Sequence, residues 1–245
     1  MDWTQTSAAI IPCYNEATSL GEVVAKVRRH LPTIIVVDDG SQDNTAKTAS
    51  DAGAEIVRLA HNMGKGAALR AGWQHARTRG FSWALNVDGD GQHAPEDIPK
   101  FFHRAEQARA AMVVGNRMSH AQAMPWLRRR VNHWMSRRLS RLVGNPLPDS
   151  QCGFRLLNLD VAARLELSTN HFEIESELLV AFLAAGCRVE FVPIQVIYKS
   201  EPSKIHPLQD GWRWVCWWFA QAKAHAADNM LAVQPRMNNL PEAHV

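Results

Sequence analysis

The stretch NVDGDGQH at residues 86–93 places Asp88 and Asp90 one glycine apart, directly after the apolar run FSWAL. In an extended chain, side chains two residues apart point the same way, so these carboxylates repel each other unless a cation lies between them. Oxygen ligands favour Mg²⁺ or Mn²⁺, and Mg²⁺ takes one or two carboxylates while keeping positions for substrate phosphates. An EF-hand calcium loop is excluded, because His93 and Pro99 stand where it needs Gly and Glu. The other interpretation of the aspartate pair is a surface turn.

Three further polar clusters also follow apolar runs that predict strands. CYNE (13–16) follows AAIIP, DDGSQDNT (38–45) follows TIIVV, and HNMGKG (61–66) follows EIVRLA. Any one of them fits ordinary turn chemistry. In open α/β sheets, however, ligands bind outside the carboxyl ends of the strands. Four such clusters together therefore predict one binding site at one edge of a sheet.

The elements that must position these clusters alternate along the chain. Segments with helical spacing at 19–30, 43–52 and 66–79 separate runs of strand character, which predicts βαβ units and a mainly parallel sheet flanked by helices. The later elements are a helix starting at Pro95, a strand at 110–116, a basic amphipathic helix at 125–142, a helix at 173–185, a strand at 188–197 and a Trp-rich segment at 211–226. We predict a Rossmann-like α/β fold with a single domain over 1–230 and a flexible tail at 231–245.

The composition is that of an ordinary globular protein. The 245 residues are 46% hydrophobic and 21% charged, and the net charge of +3 is too small to indicate nucleic acid. Four scattered cysteines predict free thiols in a reducing compartment. The N-terminus shows no secretory pattern, and the longest apolar run, LLVAFLAAG (178–186), is shorter than the roughly 20 residues a membrane span requires. We therefore expect a cytoplasmic protein that touches a membrane without crossing it.

The charge distribution is uneven. No acidic residue lies between Glu106 and Asp149, whereas eight arginines do. Six of the nine tryptophans lie in the segment around 125–142 or in the C-terminal segment. Basic amphipathic helices with Trp suit a bilayer interface and an anionic partner. Alternatively, the Trp side chains pack a helix on the sheet or form a contact between copies, which would give a homo-oligomer.

The GKG sequence at 64–66 lacks the spacing of a P-loop. It opens the predicted helix at 66–79, so exposed N–H groups and Lys65 could meet an anion or a nucleobase. Ser41 and Asp43 could cap the start of the predicted helix at 43–52.

Seven motifs in consistent order carry a resemblance to a known family. They are PCYNE (12–16), VVDDGSQDNT (36–45), N-x-GKG-A (62–67), DGDGQH (88–93), GNR (115–117), CGFR (152–155) and SKI (203–205). The chain from about residue 8 to 205 resembles family 2 glycosyltransferases of GT-A fold, and within them the polyprenyl-phosphate (dolichyl-phosphate) mannose synthase branch. Many relatives carry C-terminal membrane helices, which this sequence lacks.

The resemblance implies a nucleotide-diphosphosugar donor of the GDP-mannose or UDP-glucose type, a divalent cofactor (Mg²⁺ or Mn²⁺) and an inverting transfer to a lipid acceptor. It also implies a nucleotide-sugar-binding half at 8–117 and an acceptor-side half at 118–230. The family commonly has alanine where this chain has Gly89. The resemblance assigns to the nucleotide Pro12, Tyr14, Glu16, Asp39 and Lys65. It assigns to the metal and the diphosphate Asp88, Gly89, Asp90 and Gln92, and to the phosphates of donor or acceptor Arg117 and Lys204. The catalytic residues that it implies are Asp90, Arg117 and Lys204.

Transfer of a sugar makes the departing diphosphate more negative, so a metal and fixed cations stabilise the transition state. A hydroxyl acceptor also needs a general base, whereas a phosphate acceptor is already an anion. Asp149, Glu173 and Glu175 are the candidate bases, although Glu173 and Glu175 also suit a helix start. We expect a phosphate acceptor and no essential base.

Three alternatives stay open. A related glycosyltransferase would act on a hydroxyl of a glycolipid, another lipid or a saccharide. Sugar nucleotidyl transfer is disfavoured, because CYNEATSLG after the first strand is not a Gly-rich loop. A non-catalytic nucleotide-sugar-binding protein is disfavoured by the intact aspartate pair.

Overall fold

The computed structural model describes residues 1–197 and 207–233. The chain divides into two compact units, Met1–Lys204 and Ile205–Val245, and each is described by itself. The division into a nucleotide-sugar-binding half and an acceptor-side half stays a prediction. Lys204, in the SKI sequence, lies outside the described residues.

The first unit is built on one mixed sheet. Among the described residues the sheet has seven strands in the order β3-β2-β1-β4-β6-β5-β7, and β6 runs antiparallel to both of its neighbours while the others are parallel. This confirms the predicted mainly parallel α/β sheet. The strands are β1 (Ser7–Cys13), β2 (Ile34–Asp38), β3 (Glu55–Arg58), β4 (Trp83–Asn86), β5 (Met112–Asn116), β6 (Arg155–Asn158) and β7 (Val189–Pro193).

Helices connect these strands. The α-helices of the described residues are α1 (Trp3–Thr6), α2 (Ala17–Val27), α3 (Thr45–Asp51), α4 (Lys65–Thr78), α5 (Ile98–Ala108), α6 (Trp126–Val143), α7 (Leu159–Ala162), α8 (Ile174–Ala184) and α9 (Pro207–Val233). Two 3₁₀ segments, Pro95–Asp97 and Arg117–Ala123, precede α5 and α6. β1 and β2 are almost wholly buried, since α4 packs against both strands and α3 packs against β2. Their parallel register aligns Cys13 with Asp38, which brings the ends of the two strands to the same edge.

The strand β6 was not predicted from the sequence. It is only four residues long, and it begins with Arg155, whose side chain is completely buried. A charged residue inside a short strand breaks the apolar pattern by which buried strands are identified. The predicted strand at 188–197 is also shorter than expected, because it ends at Pro193 and continues only as an isolated bridge between His93 and Val196.

Several apolar residues of the helix α6 face outward. Leu127 and Trp134 are exposed, and Trp126 is 65% exposed. The side that faces the protein is instead largely polar: its buried residues are Asn132, Ser136 and Leu139. The interpretation that Trp126 and Trp134 pack this helix on the sheet is therefore wrong.

The second unit contains α9, which covers and extends the predicted Trp-rich segment. Along it, Trp212 and Phe219 are exposed, and the rings of Trp214 and Trp217 lie 6.4 Å apart. The predicted tail from residue 231 begins inside α9, and residues 234–245 lie outside the described part. Within the described ranges, no helix combines the length and apolar character needed to cross a bilayer.

Arg155 is a fully buried cation in the core, and its guanidinium needs hydrogen bonds and an opposite charge to compensate for lost hydration. Its guanidinium donates to the carbonyl oxygens of Cys152 (2.6 Å), Ser150 (2.9 Å) and Glu175 (2.6 Å). Its Nε also lies 3.0 Å from the Glu175 carboxylate. These contacts join β6 to the loop before it and to the start of α8.

We expect Arg155→Met to lower the free energy of unfolding by about 3–5 kcal/mol, because it removes one of the two cations paired with the buried Glu175 carboxylate and leaves three carbonyl oxygens without their donor. Urea denaturation monitored by circular dichroism measures this loss. Arg188→Met is the control, because the exposed Arg188 pairs with Glu190 at the surface and should cost less than about 1 kcal/mol. Equal costs for the two variants would contradict this account of the core.

Candidate active site

The four polar clusters meet at one edge of the sheet, as predicted. The clusters after β1 and β2 are joined by hydrogen bonds from Asn15 N to Ser41 Oγ and from Gln42 N to Asn15 Oδ1, both 2.9 Å. Ser19 at the start of α2 reaches the aspartate cluster, donating to the Gly89 carbonyl at 2.7 Å. The sequence signal that located this edge was the position of each cluster after a strand.

The third cluster is tied to the second by Asp39. Its two carboxylate oxygens accept the backbone N–H groups of Met63 (2.7 Å) and Gly64 (2.8 Å). Burial raises the pKa of Asp39 despite these bonds. Asp39 therefore shapes the loop before α4, in addition to any contact with a ligand.

The start of α4 differs from expectation. The N–H groups of Gly66 and Ala67 donate to the Asn170 carbonyl oxygen at 2.7 and 3.3 Å. Gly64 has φ +95°, and a Cβ there would collide with the Asn170 carbonyl, so this close approach requires glycine. The prediction that these helix N–H groups are exposed to an anion is wrong, because the loop before α8 covers them.

A large open cavity of about 630 Å³ lies beside the first three clusters. Its walls include Tyr14 after β1, Arg58 at the end of β3, and the segments 40–42 and 59–62. Pro12 lies in β1 opposite Val37, and Glu16 precedes α2. The size and position of the cavity suit a nucleoside at the carboxyl ends of parallel strands.

A second, small cavity of about 30 Å³ lies at the aspartate cluster. The chain turns after β4 rather than staying extended, yet Asp88 and Asp90 still face the same space. The residues that line it are Asp88, Asp90, Gln92, His93, Arg117, Arg128 and Val196. Gly89 lies behind them, where an added Cβ would come within 2.7 Å of Cys13 Sγ. Cys13 thus fills the space of the side chain that this glycine lacks.

The oxygen atoms of this cavity fit a hard divalent cation. The carboxylates of Asp88 and Asp90 and the amide of Gln92 supply the donor types that Mg²⁺ and Mn²⁺ prefer. Among the described residues, no three His, Cys, Asp or Glu side chains form a closed metal cage. An open site of this kind leaves positions for phosphate oxygens.

His93 lies against the aspartate cluster and contacts Asp88. It is buried against Phe154, with ring centroids 4.9 Å apart, and burial lowers its pKa. Its Nδ1 accepts the Asp88 N–H at 3.4 Å, so the proton of the neutral ring is assigned to Nε2, which lies 3.7 Å from Asp88 Oδ2. Sequence reasoning gave His93 no role, although it ends the DGDGQH motif.

Lys65 links the aspartate cluster to α8. Its Nζ lies 2.6 Å from Asp88 Oδ1 and 2.8 Å from Glu175 Oε1. Burial opposes the charge of Lys65, but the two carboxylates outweigh it and raise its pKa. For Asp88, burial is likewise outweighed by Lys65, and the pKa falls below the ordinary range of a carboxyl. Both groups are therefore charged at neutral pH.

Arg117 is held by Asp149 in a bidentate pair. Arg117 Nε and Nη2 donate to the two carboxylate oxygens at 2.7 and 2.8 Å, and Asn132 of α6 donates to the same carboxylate at 3.1 Å. Burial works against the charge of Arg117, but Asp149 raises its pKa above the usual value. Two of the three candidate bases, Asp149 and Glu175, are thus committed to cations.

The CGFR motif explains why these groups come together. Phe154 stacks on His93, Arg155 holds Glu175, and the Cys152 carbonyl accepts from Arg155. Gly153 lets the chain pass the Lys65–Asp88 pair: an added Cβ would lie 2.7 Å from Lys65 Nζ and from Asp88 Oδ2. The sequence signalled this motif only through the family resemblance, and the contacts of Gly153 and Arg155 could not be predicted.

We expect Gly153→Ala to destabilise the protein by about 1–3 kcal/mol, because the new methyl group overlaps a buried ion pair. Urea denaturation measures the change. Gly211→Ala is the matched control, since an added Cβ at Gly211 meets no atom within 4 Å in the described structure. If Gly153→Ala proved as stable as Gly211→Ala, the packing described for the ion pair would be incorrect.

Comparisons with known proteins identify the family of the chain. The family model described as "Glycosyl transferase family 2" matches residues 8–165. A polyprenol monophosphomannose synthase of Mycolicibacterium smegmatis is 34% identical over 177 residues, covering 67% of this chain and 66% of the relative. A UDP-N-acetylglucosamine–dolichyl-phosphate N-acetylglucosaminyltransferase of Methanococcus voltae is 31% identical over 214 residues, covering 78% and 85%.

Solved structures share the fold. Glucosyl-3-phosphoglycerate synthase of Mycobacterium tuberculosis, in complex with Mn²⁺, UDP-glucose and phosphoglyceric acid, superposes with a TM-score of 0.69 at 16% identity. The match covers 89% of this chain and 80% of that one. The predicted GT-A type of α/β fold is confirmed.

Proposed function

The chain belongs to glycosyltransferase family 2 and is a glycosyltransferase, and from this premise we propose that it transfers a hexose from a nucleotide-diphosphosugar to a polyprenyl phosphate, with inversion and with a divalent metal. The predicted resemblance to the polyprenyl-phosphate sugar transferases is confirmed by relatives that carry such names, including an undecaprenyl-phosphate mannosyltransferase of Micrococcus luteus, 28% identical over 206 residues.

The observation that carries the proposal is the small cavity where two carboxylates face two arginines. Asp88, Asp90 and Gln92 would hold Mg²⁺ or Mn²⁺, and the cation, when bound, supplies positive charge to the departing diphosphate. Arg117 adds a cation whose direction is fixed by Asp149, so little reorganisation is needed when negative charge develops. Arg128 of α6 also lines this cavity, although no sequence signal distinguishes it from the neighbouring arginines.

The donor would lie across the two cavities. Tyr14, Pro12, Glu16 and Asp39 are assigned to the nucleoside, next to the large cavity, and Lys65 and Gly89 to the diphosphate side. The choice between GDP and UDP depends on the walls of this large cavity. The role proposed for Lys204 rests on the SKI sequence alone.

A phosphate acceptor explains the distribution of carboxylates better than a hydroxyl does. Deprotonating a hydroxyl requires a base with a free carboxylate, and two of the three candidate bases are paired: Asp149 with Arg117, and Glu175 with Lys65 and Arg155. The third, Glu173, is buried at the start of α8. An anionic acceptor requires no base and is attracted by Arg117 and Arg128. This supports a lipid phosphate as acceptor over the hydroxyl of a lipid or a sugar. It also disfavours a non-catalytic binding protein, which would not need cations placed to stabilise a departing diphosphate.

We expect the purified protein, with Mn²⁺ or Mg²⁺ and a panel of GDP- and UDP-sugars, to glycosylate a short-chain polyprenyl phosphate but not the corresponding polyprenol. Asp90→Asn should lower the rate by about 100-fold or more, because it weakens charge stabilisation in the transition state. Chromatography of the radiolabelled lipid product measures both effects. Asp51→Asn, at an exposed ion pair of α3, is the control. Transfer to the alcohol, or full activity in Asp90→Asn, would contradict the proposal.

We further propose that α6 rests on a membrane surface that carries the lipid acceptor. Its outward face combines exposed apolar side chains, such as Trp126 and Leu127, with exposed arginines, including Arg129 and Arg130. Apolar groups beside cations suit the interface of an anionic bilayer, in which the side chains enter the headgroup region. Cytoplasmic location and homo-oligomer formation stay predictions.

We expect the protein to float with vesicles that contain phosphatidylglycerol, and less with neutral phosphatidylcholine vesicles. The double variant Arg129→Glu/Arg130→Glu should reduce flotation several-fold, because each arginine near an anionic surface contributes about 1 kcal/mol. Arg29→Glu/Arg164→Glu makes the same change in net charge at exposed positions outside α6. Equal loss in both double variants would indicate an effect of net charge alone and would contradict a specific α6 surface.

A further inference from the structure

Four alternating charges form a continuous row from the sheet to the proposed metal ligands; Arg155 and Glu175 are buried, and Lys65 and Asp88 are partly buried. Arg155 of β6 contacts Glu175 of α8 at 3.0 Å, Glu175 contacts Lys65 of α4 at 2.8 Å, and Lys65 contacts Asp88 at 2.6 Å. Each residue comes from a different element, so the row exists only in the folded chain. Its last contact, Lys65 on Asp88 Oδ1, uses an oxygen of a residue assigned to the metal.

Lys65 cannot easily leave this row for solvent. Its side chain is 15% exposed, and its Nζ lies 5.8 Å above the centre of the Phe172 ring. A buried ammonium without a carboxylate partner would be unstable. Any cation that takes Asp88 Oδ1 must therefore displace Lys65 toward another negative group, and the group already in contact is Glu175.

We propose that Lys65 is the internal counterion of Asp88 in the metal-free enzyme, and that Glu175 is a positioning residue which retains Lys65 when Asp88 engages the divalent metal. This inference rests on the proposed function. Arg155 makes the arrangement possible, because it fixes both the carboxylate and the carbonyl group of Glu175. Lys65 thus remains beside the site and faces the incoming phosphates, and binding of the metal is balanced by release of the lysine from Asp88.

Two opposite effects on metal affinity follow. Removing Lys65 removes a competing cation, so the metal should bind more tightly. Among the described residues, removing the charge of Glu175 leaves Asp88 as the only carboxylate in contact with Lys65, so the lysine should compete more strongly. Opposite charges in contact at a partly buried site interact strongly enough to change the affinity for the metal by about tenfold.

The test is a titration of Mn²⁺ without nucleotide, with the free ion followed by electron paramagnetic resonance. Compared with wild type, Lys65→Met should bind Mn²⁺ about tenfold more tightly, and Glu175→Gln should bind it several-fold more weakly. Lys47→Met, at an exposed ion pair of α3, should not change the affinity. Circular dichroism and urea unfolding report whether each variant is folded.

The double variant Lys65→Met/Glu175→Gln keeps the charge balance and tests the coupling. If Glu175 acts through Lys65, its substitution should have little effect on Mn²⁺ affinity once Lys65 is gone. If Glu175 acts only through its own charge, it weakens binding equally in both backgrounds, and that result would overturn the proposal. Should Lys65→Met not fold, comparing the double variant with Glu175→Gln still measures the effect of Lys65.

Failure of this inference is distinguishable from failure of the proposed function. If wild type binds Mn²⁺, Asp90→Asn does not, and Lys65→Met binds no more tightly than wild type, the counterion role is overturned while the metal-dependent function stands. If neither wild type nor Lys65→Met binds Mn²⁺ and no sugar is transferred, both are overturned.

Discussion

The active site of this protein depends on the burial of the cation of Arg155. A guanidinium without water must be surrounded by oxygen atoms, and here these are three backbone carbonyls and the Glu175 carboxylate. Meeting that requirement fixes the loop 150–153, the strand β6 and the start of α8 relative to one another. Glu175 can then hold Lys65, and Lys65 holds Asp88. The geometry of the proposed metal ligands is in this way connected to the core of the sheet.

The antiparallel strand β6 has a functional consequence. It lies between β4 and β5, so the loop that precedes it runs past the carboxyl end of β4, where Asp88 and Asp90 lie. The same loop carries Asp149, which fixes Arg117 after β5. A parallel strand at this position would enter the sheet from the opposite edge. The reversal of one strand therefore brings the cations and carboxylates of both halves of the sheet into one cavity.

The helix α6 contacts both the site and the exterior. On its inner side, Asn132 donates to the carboxylate that fixes Arg117, and Arg128 lines the small cavity. On its outer side, Trp126 and Trp134 are exposed. A polar inner face is unusual for a surface helix, whose apolar stripe normally faces the core. The exposed apolar face of α6 favours an apolar partner outside the protein. If that partner is the bilayer that carries the acceptor, the acceptor would lie next to Arg117 and Arg128.

The sequence by itself determined the parallel part of the sheet and the edge at which the site lies. The reason is local: apolar runs with β-branched residues predict strands, and the polar clusters that follow them can lie only at the carboxyl ends. It also identified the aspartate pair and the family. The sequence could not determine which charges pair. Glu175 is a candidate base in the sequence, and the N–H groups of α4 are predicted to be exposed, but Glu175 pairs with Lys65 and Arg155 and those N–H groups donate to Asn170. No local pattern in the sequence connects these residues.

Only the tertiary structure decided those pairings. Burial makes each buried charge depend on a partner of opposite sign, and the choice of partner follows from how β6, α4 and α8 pack. For the same reason β6 itself escaped prediction, since the side chain of Arg155 is compatible with a buried strand only when Glu175 is beside it. The local sequence pattern thus fixed the strands and the position of the site. Ion pairs between residues that are distant in the sequence fixed the arrangement of the charged side chains within it.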